Sequence, residues 1–245
     1  MSRSENLSNI NPDISGIWNA PSYVDSRHLK PDVKHMEANR FMCYFPDADV
    51  LENYTQLRTQ ILQKTREKGW NTIMVTSAGP RTGKTLTAVN LSLTFAKTCE
   101  DTVLLVDCDL RNQTICKDMG IASEKGLADI IIDGVPMNNV MIWPGIDKMT
   151  VISGGRSIKG SSELLGSPQM AAVVSEMKKR YSDRYVFFDV PAALNVADAL
   201  TFAPLVDCIL IVIEEGKTTH KEIRMMLNMF QREKILGYVV NKQKV

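Results

Sequence analysis

The feature that most constrains this chain is a short turn of small residues with one lysine, directly after an apolar stretch. Residues Ala78 to Thr85 read AGPRTGKT, which fits the phosphate-loop pattern A/G-x-x-x-x-G-K-S/T, and they follow the strand-like segment NTIMVTS. A strand that ends in such a turn and continues as a helix aims backbone N–H groups and the positive end of a helix dipole at one point. The sequence therefore predicts a polyphosphate site at this turn.

Each part of the loop has an expected task. Lys84 is expected to reach the β- and γ-phosphates of a nucleotide, and the Thr85 hydroxyl to hold a magnesium ion that bridges them. An ordinary strand-to-helix turn with a solvated lysine is the alternative, and the order strand, loop, helix favours the phosphate site. The other candidate nucleotide-binding residues of the loop are Gly79, Pro80, Arg81, Thr82, Gly83 and Leu86.

Composition excludes several other classes of function. The 245 residues are 44% apolar and 23% charged with a net charge of +1, so the charge favours neither nucleic acid nor anionic lipid. Five cysteines without a CxxC pair indicate neither a disulfide framework nor a metal-binding motif. The longest apolar run, 206–213, is well short of the roughly 20 residues that cross a bilayer. We therefore expect a cytoplasmic protein without a membrane span, which works at a membrane only through a partner.

Apolar strand-like segments alternate with amphipathic segments from residue 49 onward. Nearly continuous apolar strands separated by helices require a parallel sheet that is covered on both faces, with right-handed crossovers. The predicted fold is an α/β P-loop NTPase fold, with a mostly parallel sheet and helices on both faces. It forms one ATPase or kinase domain over residues 48–245. Residues 1–47 are polar and lack a sustained period, which predicts a flexible N-terminal extension.

Three aspartates stand where predicted strands end. Asp107 ends the segment TVLLVD, Asp109 comes two residues later, and Asp189 ends the segment YVFFD. Ligands of parallel sheets bind at the carboxyl ends of the strands, so these carboxylates are expected beside the phosphate loop. Each aspartate alone could be a turn former or a helix cap. Three at the same edge indicate magnesium binding or acid–base chemistry.

Phosphoryl transfer to a tyrosine would give these carboxylates separate tasks. A phenol with a pKa near 10 is only about one part in a thousand ionised at neutral pH, so the acceptor needs a base. Asp107 is the predicted base, and Asp109 and Asp189 are the predicted metal-side acids. Arg111 is expected to steady the phosphates or the interface around them. The sequence does not separate the roles of Asp107 and Asp109.

These motifs resemble those of bacterial tyrosine kinases. TSAGPRTGKT, VLLVDCDLR and YVFFDVPAALNVADA are similar to the family's Walker A, Walker A′ and Walker B motifs. SSELLGSPQM resembles the segment after the central strand, and GYVVNK resembles the adenine-side strand, with Asn241 at the adenine-contacting position. The resemblance covers about residues 49–242, and the segment RYSDRYVFFDVP is most similar to autokinases encoded beside exopolysaccharide and exosortase loci.

The resemblance implies a function and its partners. It implies a protein-tyrosine kinase that depends on ATP and Mg²⁺ and regulates exopolysaccharide or capsule synthesis and export. A membrane-anchored polysaccharide co-polymerase would activate the kinase and recruit it to the inner face of the membrane. The family also forms homo-oligomers through an ExxRxxR motif, which this chain carries only as Glu52 and Arg58 around Thr55. A homo-oligomer would accordingly form through the Glu52 to Arg58 helix.

The chain departs from the family pattern in its loop and in its tyrosines. The family usually carries Gly and Glu where this chain has Arg81 and Thr82. Members usually end in a flexible tail of clustered tyrosines, whereas four residues follow Asn241 here. Autophosphorylation on such a tail is therefore not expected. The predicted reachable tyrosines are Tyr23, Tyr44 and Tyr54, and Tyr238 is predicted to lie in the core.

Two other functions stay open on the sequence alone. The first is a nucleotide-switched regulatory ATPase of the polysaccharide machinery without tyrosine kinase activity, which the missing tail favours. The second is a partitioning or cluster-assembly ATPase. Those proteins carry an extra lysine near the start of the loop, where this chain has Gly79, and cluster carriers need a CxxC that is absent.

Overall fold

An eight-stranded sheet organises the protein, as seen in a computed structural model that describes residues 26–45, 49–97, 101–180 and 183–243. The order across the sheet is β1-β4-β5-β3-β6-β2-β7-β8. Neighbouring strands run parallel, except β4 and β5, which pair antiparallel. The strands are β1 (Arg27–His28), β2 (Thr72–Ser77), β3 (Thr102–Asp107), β4 (Ile142–Trp143), β5 (Met149–Ile152), β6 (Arg184–Asp189), β7 (Cys208–Glu214) and β8 (Ile235–Asn241).

Helices cover both faces of this sheet and enclose two hydrophobic clusters. One cluster lies under α2, α3 and α4, and the other lies under α5, α7, α8 and α9. The central strands β2, β3 and β6 are buried along their whole length, which explains their continuous apolar sequences. The helices are α1 (Val33–Ala38), α2 (Leu51–Arg66), α3 (Lys84–Ala96), α4 (Ile115–Asp118), α5 (Leu127–Asp133), α6 (Ser161–Leu165), α7 (Pro168–Lys179), α8 (Asp198–Phe202) and α9 (His220–Met229). The predicted fold class is confirmed.

The segment of residues 26–45, which we call the strap, departs from the predicted flexible extension. Its β1 pairs with β4, and its residues Met36, Phe41 and Cys43 are at most 2% exposed. These side chains join the same hydrophobic cluster as α3, and this burial gives the strap a fixed place in the fold. Residues 1–25 lie outside the described residues, so the prediction for them stays a prediction.

The strap is also hydrogen-bonded to the helix that follows the phosphate loop. Asn90 of α3 is buried, and its carboxamide oxygen accepts the Cys43 N–H at 2.9 Å. Its Nδ2 donates to the Arg40 carbonyl at 3.0 Å. A buried amide satisfied on both sides fixes its partners firmly, because breaking either bond would leave a polar group unpaired. The strap is thereby fastened to α3.

None of the helices in the described part of the chain is both long enough and apolar enough to cross a bilayer.

Candidate active site

The phosphate loop lies between the end of β2 at Ser77 and the start of α3 at Lys84. Gly83 adopts φ +95°, in the left-handed region, and a Cβ there would lie 2.0 Å from Asn241 Nδ2. Only glycine therefore fits at this position. Arg81 also has a positive φ, +60°, a backbone conformation that disfavours side chains with a Cβ.

The end of β8 fastens this loop from the side. Asn241 Nδ2 donates to the Thr82 carbonyl at 2.8 Å, and Lys242 Nζ donates to the Arg81 carbonyl at 2.6 Å. Lys242 also forms an ion pair with Glu214 at 3.3 Å. Both donors reach main-chain carbonyls, so they hold the backbone of the loop and not its side chains. The register of β7 and β8 brings Glu214 opposite Asn241 and so places these groups together.

Lys84 lies between two of the predicted acids. Its Nζ is 3.4 Å from Asp109 Oδ2 and 3.5 Å from Asp189 Oδ1, and its side chain is 13% exposed. Burial alone would lower the pKa of Lys84, but attraction to Asp189, Asp109 and Asp107 outweighs it and raises that pKa. The ammonium group is therefore charged and is held at the mouth of the loop.

Asp107 and Asp189 sit opposite each other at the ends of β3 and β6, as predicted from their places after apolar strands. Each is 1% exposed. Burial first, and the charge of Asp189 second, raise the pKa of Asp107 to about 7. Burial also raises the pKa of Asp189, although Lys84 and a 2.6 Å hydrogen bond from the Thr85 hydroxyl oppose the shift. The two carboxyl groups form one interacting pair.

Asp107 also organises the loop after β3. Its Oδ1 accepts the Asp109 N–H at 3.0 Å, and its Oδ2 accepts the N–H groups of Thr114 and Ile115 at 3.1 and 3.2 Å. The carboxylate thus uses three of about four acceptor positions and keeps one on Oδ1. Asp109 is more open, because its side chain is 15% exposed.

A cavity of about 620 Å³ adjoins the loop on the β8 side. Its walls come from the strap, from α2, from the first turns of α3 and from the end of β8. A volume of this order suits a small organic ligand. From α3 and from the end of β8 onward, the cavity is lined by Leu86, Asn90, Val239, Val240, Asn241, Lys242 and Gln243.

The profile of the AAA domain family matches residues 71–237, more than half of the chain. Tyrosine-protein kinase YwqD of Bacillus subtilis is 30% identical and aligns over 79% of this chain and 81% of its own length. The chain belongs to the bacterial tyrosine kinase family. The kinase domain of Escherichia coli tyrosine kinase ETK superposes with a TM-score of 0.73 at 26% identity, covering 82% of this chain and 80% of that domain.

Some relatives of this chain are much longer than it is. The succinoglycan biosynthesis transport protein ExoP of Rhizobium meliloti is 33% identical over 69% of this chain, and that match covers 22% of ExoP. The family resemblance predicted from the three Walker motifs is confirmed.

Arg111, in the kinase's Walker A′ segment, contacts Ser161 and Asp198. Its Nε donates to the Ser161 hydroxyl at 2.7 Å, and its Nη2 lies 3.6 Å from Asp198 Oδ1. Neither partner was singled out from the sequence. The signal available was an aspartate in the apolar context VADAL, which a helix start explains equally well.

The described residues contain no group of three or more His, Cys, Asp or Glu side chains that could hold a metal ion by itself. Magnesium in kinases commonly takes one or two carboxylates, and substrate phosphates and water supply its other ligands. The predicted metal ligands Thr85, Asp109 and Asp189 all gather around Lys84, and they are oxygen donors of the kind that Mg²⁺ prefers.

Among the described tyrosines with a predicted access, Tyr238 differs from the prediction. Tyr44 and Tyr54 are only half-buried, and burial raises the pKa of Tyr54 to about 12. Tyr238 is 40% exposed, so its prediction as a core residue is wrong. The reason is that β8 is the last strand at one edge of the sheet. Tyr23 lies outside the described residues.

The incomplete oligomerisation motif of the family lies on α2. Arg58 Nη1 donates to the Thr94 carbonyl, near the end of α3, at 2.8 Å. Thr55 donates its hydroxyl to the Leu51 carbonyl of its own helix, while Glu52 is exposed and accepts a hydrogen bond from Gln56. The arginine therefore binds within its own chain, and oligomerisation through this helix stays a prediction.

Proposed function

We propose that this chain is an ATP- and Mg²⁺-dependent protein-tyrosine kinase that regulates exopolysaccharide or capsule synthesis and export. The observation that carries the proposal is the position of Lys84, whose ammonium group is held by Asp109 and Asp189 at 3.4 and 3.5 Å beside the loop. A fixed cation next to a phosphate-binding turn is suited to stabilising charge on a transferred phosphoryl group. The similarity to ExoP, a succinoglycan biosynthesis transport protein, supports a role in polysaccharide synthesis.

The donor set fits magnesium. Thr85, Asp109 and Asp189 would hold the ion, since a hydroxyl and two carboxylates present hard oxygen atoms at one edge of the sheet. When bound, Mg²⁺ would neutralise charge on the β- and γ-phosphates. Thr85 already contacts Asp189 at 2.6 Å, so these two ligands are held together without the ion.

The fixed amide of Asn241 supports adenine as the base. Its Nδ2 donates to the Thr82 carbonyl, which fixes the plane of the amide, and its Oδ1 would accept a hydrogen bond from the base. A carbonyl oxygen accepts a hydrogen bond from the 6-amino group of adenine but repels the 6-oxo oxygen of guanine. The cavity beside Asn241 would take the adenosine, and the loop residues from Gly79 to Leu86 would take the phosphates.

The chain's own residues account for the transfer. The phenolic oxygen of the acceptor attacks the γ-phosphorus, the bond from that phosphorus to the β–γ bridging oxygen breaks, and ADP leaves. Asp107 takes the phenolic proton through its remaining acceptor position on Oδ1, and its pKa of about 7 suits a base that works near neutral pH. Lys84 stabilises the charge that develops on the phosphoryl oxygens.

The partner and the location form part of the same proposal. The chain would act in the cytoplasm, at the inner face of the membrane, bound to a membrane-anchored polysaccharide co-polymerase that activates it. Support comes from the similarity to ExoP, a succinoglycan biosynthesis transport protein of which the match covers 22%. Homo-oligomerisation through the Glu52 to Arg58 helix would add contacts between copies.

A regulatory ATPase that hydrolyses ATP without phosphorylating tyrosine is the second candidate. The observation in its favour is the raised pKa of Tyr54, about 12, because a half-buried phenol that ionises reluctantly is a poor acceptor. Under this reading, ATP binding and hydrolysis would time contact with the polysaccharide machinery.

One experiment separates the two functions. The full chain is incubated with Mg²⁺ and γ-labelled ATP, with and without a co-polymerase fragment, and phosphotyrosine is located by mass spectrometry while released phosphate is counted. The kinase proposal expects label on tyrosine that Lys84→Met abolishes. Phosphate released only to water would support the switch, and neither product would contradict both functions.

A further inference from the structure

A buried polar network lies beside the phosphate site, where α6 meets α8. Asp198, the first residue of α8, is fully buried. Its carboxylate accepts the Ser161 hydroxyl at 2.5 Å and the Ser162 hydroxyl at 2.6 Å. Burying a carboxylate costs roughly several kcal/mol of folding free energy unless the group is hydrogen-bonded and paired with an opposite charge. The positive side chain that pairs with Asp198 therefore shows which part of the fold this network holds in place.

Arg111 supplies that balancing charge. Its Nη2 lies 3.6 Å from Asp198 Oδ1, and its Nε donates to Ser161 Oγ at 2.7 Å. Ser161 consequently accepts a hydrogen bond from Arg111 and donates one to Asp198. Two separate attachments fix the plane of a guanidinium group, which a lysine in the same place could not reproduce.

The main chain next to Arg111 is held by the same segment. The Ile158 N–H donates to the Leu110 carbonyl at 2.9 Å, and the Ser157 hydroxyl donates to the Arg111 carbonyl at 3.4 Å. These contacts and the Arg111 side chain attach the loop after β3 to residues 157–161. Asp109 lies in this loop, directly before Leu110, so its place relative to Lys84 depends on the attachment.

We infer that Ser161 and Asp198 are positioning residues that act through Arg111 on the placement of Asp109. The inference rests on the proposed function, in which Asp109 is a metal-side acid. Arg111 is then an anchor of the Walker A′ loop, and its guanidinium group serves the loop instead of the phosphates. The side chain nearest to the reaction that depends on this anchor is Asp109, 3.4 Å from Lys84.

Ser162 provides a matched control within the same network. Its hydroxyl donates to the same carboxylate at nearly the same distance as that of Ser161. Among the described residues, however, no hydrogen bond joins the Ser162 side chain to Arg111. Replacing either serine by alanine removes one hydrogen bond to Asp198, but only Ser161→Ala also removes the hydrogen bond from Arg111 Nε. Neither change removes a partner of the Arg111–Asp198 ion pair.

The test compares Ser161→Ala with Ser162→Ala in the full chain. For Ser161→Ala we expect kcat to fall, and the Mg²⁺ concentration for half-maximal turnover to rise, by about 10- to 100-fold, the usual effect of losing a residue that orients a metal ligand. Ser162→Ala should keep both quantities within about twofold at a similar melting temperature. Equal losses of kcat in the two variants would overturn the positioning role.

The Arg111→Ala background tests whether Ser161 acts through Arg111. Arg111→Ala should itself lower kcat, and adding Ser161→Ala should lower it no further, because the two residues then belong to one pathway. Additive losses would overturn the inference.

A measurement independent of turnover separates failure of the inference from failure of the proposed function. Amide hydrogen exchange at residues 109–112, without nucleotide, should be faster in Ser161→Ala than in Ser162→Ala. If the wild-type chain shows no turnover, the proposed function fails while exchange still decides the anchoring of the loop. Equal exchange in the two variants would contradict the anchoring.

Discussion

The Thr85 hydroxyl donates a 2.6 Å hydrogen bond to Asp189 Oδ2, which joins the first turn of α3 to the end of β6. The bond links the Walker A helix directly to the Walker B strand. Asp189 is 1% exposed, so the contact is protected from water and its geometry is well fixed. A magnesium ion would meet ligands that are already in place, and little reorganisation would be needed when nucleotide binds.

Replacing Lys84 by methionine should remove most of the turnover. The ammonium group is the cation that lies between Asp109 and Asp189, and losing such an electrostatic group costs about 10²- to 10³-fold in kcat. Circular dichroism and thermal unfolding would show that the fold persists. Lys97→Met, at the exposed end of the same helix, is the control and should keep wild-type turnover. Full activity of Lys84→Met would refute the role of the lysine.

Asp107 should contribute a decrease in stability as pH rises from about 4 to about 7. Its folded pKa is about 7 against 3.8 for the ordinary group, so the folded state binds more protons in that window. Stability therefore decreases with pH wherever the unfolded state holds fewer protons. Urea unfolding at several pH values should show a weaker slope in Asp107→Asn. An unchanged slope would mean that another group titrates there.

The value of kcat/KM should rise with pH through an apparent pKa near 7. A base must be deprotonated, and burial with the charge of Asp189 sets the pKa of Asp107 at about 7. Asp107→Asn should lose this limb together with most of the activity, whereas Asp109→Asn should keep the limb and chiefly raise the Mg²⁺ requirement. If the rise with pH persisted in Asp107→Asn and disappeared in Asp109→Asn, then Asp109 would be the base and Asp107 the metal-side acid.

The preference for ATP over GTP should depend on Asn241. Asn241→Ala removes the oxygen offered to the adenine amino group and also frees the Thr82 carbonyl, so the ratio of the two Kd values should fall about tenfold, the worth of one good hydrogen bond. Lys242→Ala is the matched control, because it removes a bond to the neighbouring Arg81 carbonyl and should keep the preference. Calorimetric titration with both nucleotides measures the ratio, and an equal change in the two variants would contradict the assignment.

The strap should contribute strongly to stability. Phe41 is 2% exposed, and replacing a buried phenylalanine by alanine costs about 3–5 kcal/mol. Val33→Ala, in the same strap but at a side chain that is 49% exposed, should cost less than about 0.5 kcal/mol. Urea unfolding of both variants checks this. A small loss of unfolding free energy in Phe41→Ala would contradict a fixed strap and favour the predicted flexible extension.

The residues of the active site were predictable because their signals are local. Asp107 and Asp189 end their strands, Asp109 follows two residues after β3, and Lys84 and Thr85 begin the helix after β2. The register of a parallel sheet brings such positions to one edge. The anchor of Arg111 was not predictable, because Ser161 and Asp198 are 50 and 87 residues away from it in the chain, and nothing in their local patterns marks a contact. Hydrogen bonds over such separations depend on the tertiary fold.

The strap and Tyr238 show the same limit of local signals. In the strap, Met36 and Phe41 are five residues apart, which fits neither the helical nor the strand period, so the sequence showed only a polar segment. Tyr238 lies in an apolar strand that any periodicity argument would bury. Its exposure follows from the place of β8 at the edge of the sheet, and strand order is a property of the whole topology.

The double attachment of Asn90 has a practical consequence for dissecting this protein. A shortened chain that started at residue 49 would strip the carboxamide of both main-chain partners, Cys43 and Arg40, and would bare the apolar surface that Met36 and Phe41 now cover. Such a shortened chain should aggregate or bind ATP more weakly for reasons unrelated to catalysis. Domain boundaries for expression are best drawn upstream of Arg27.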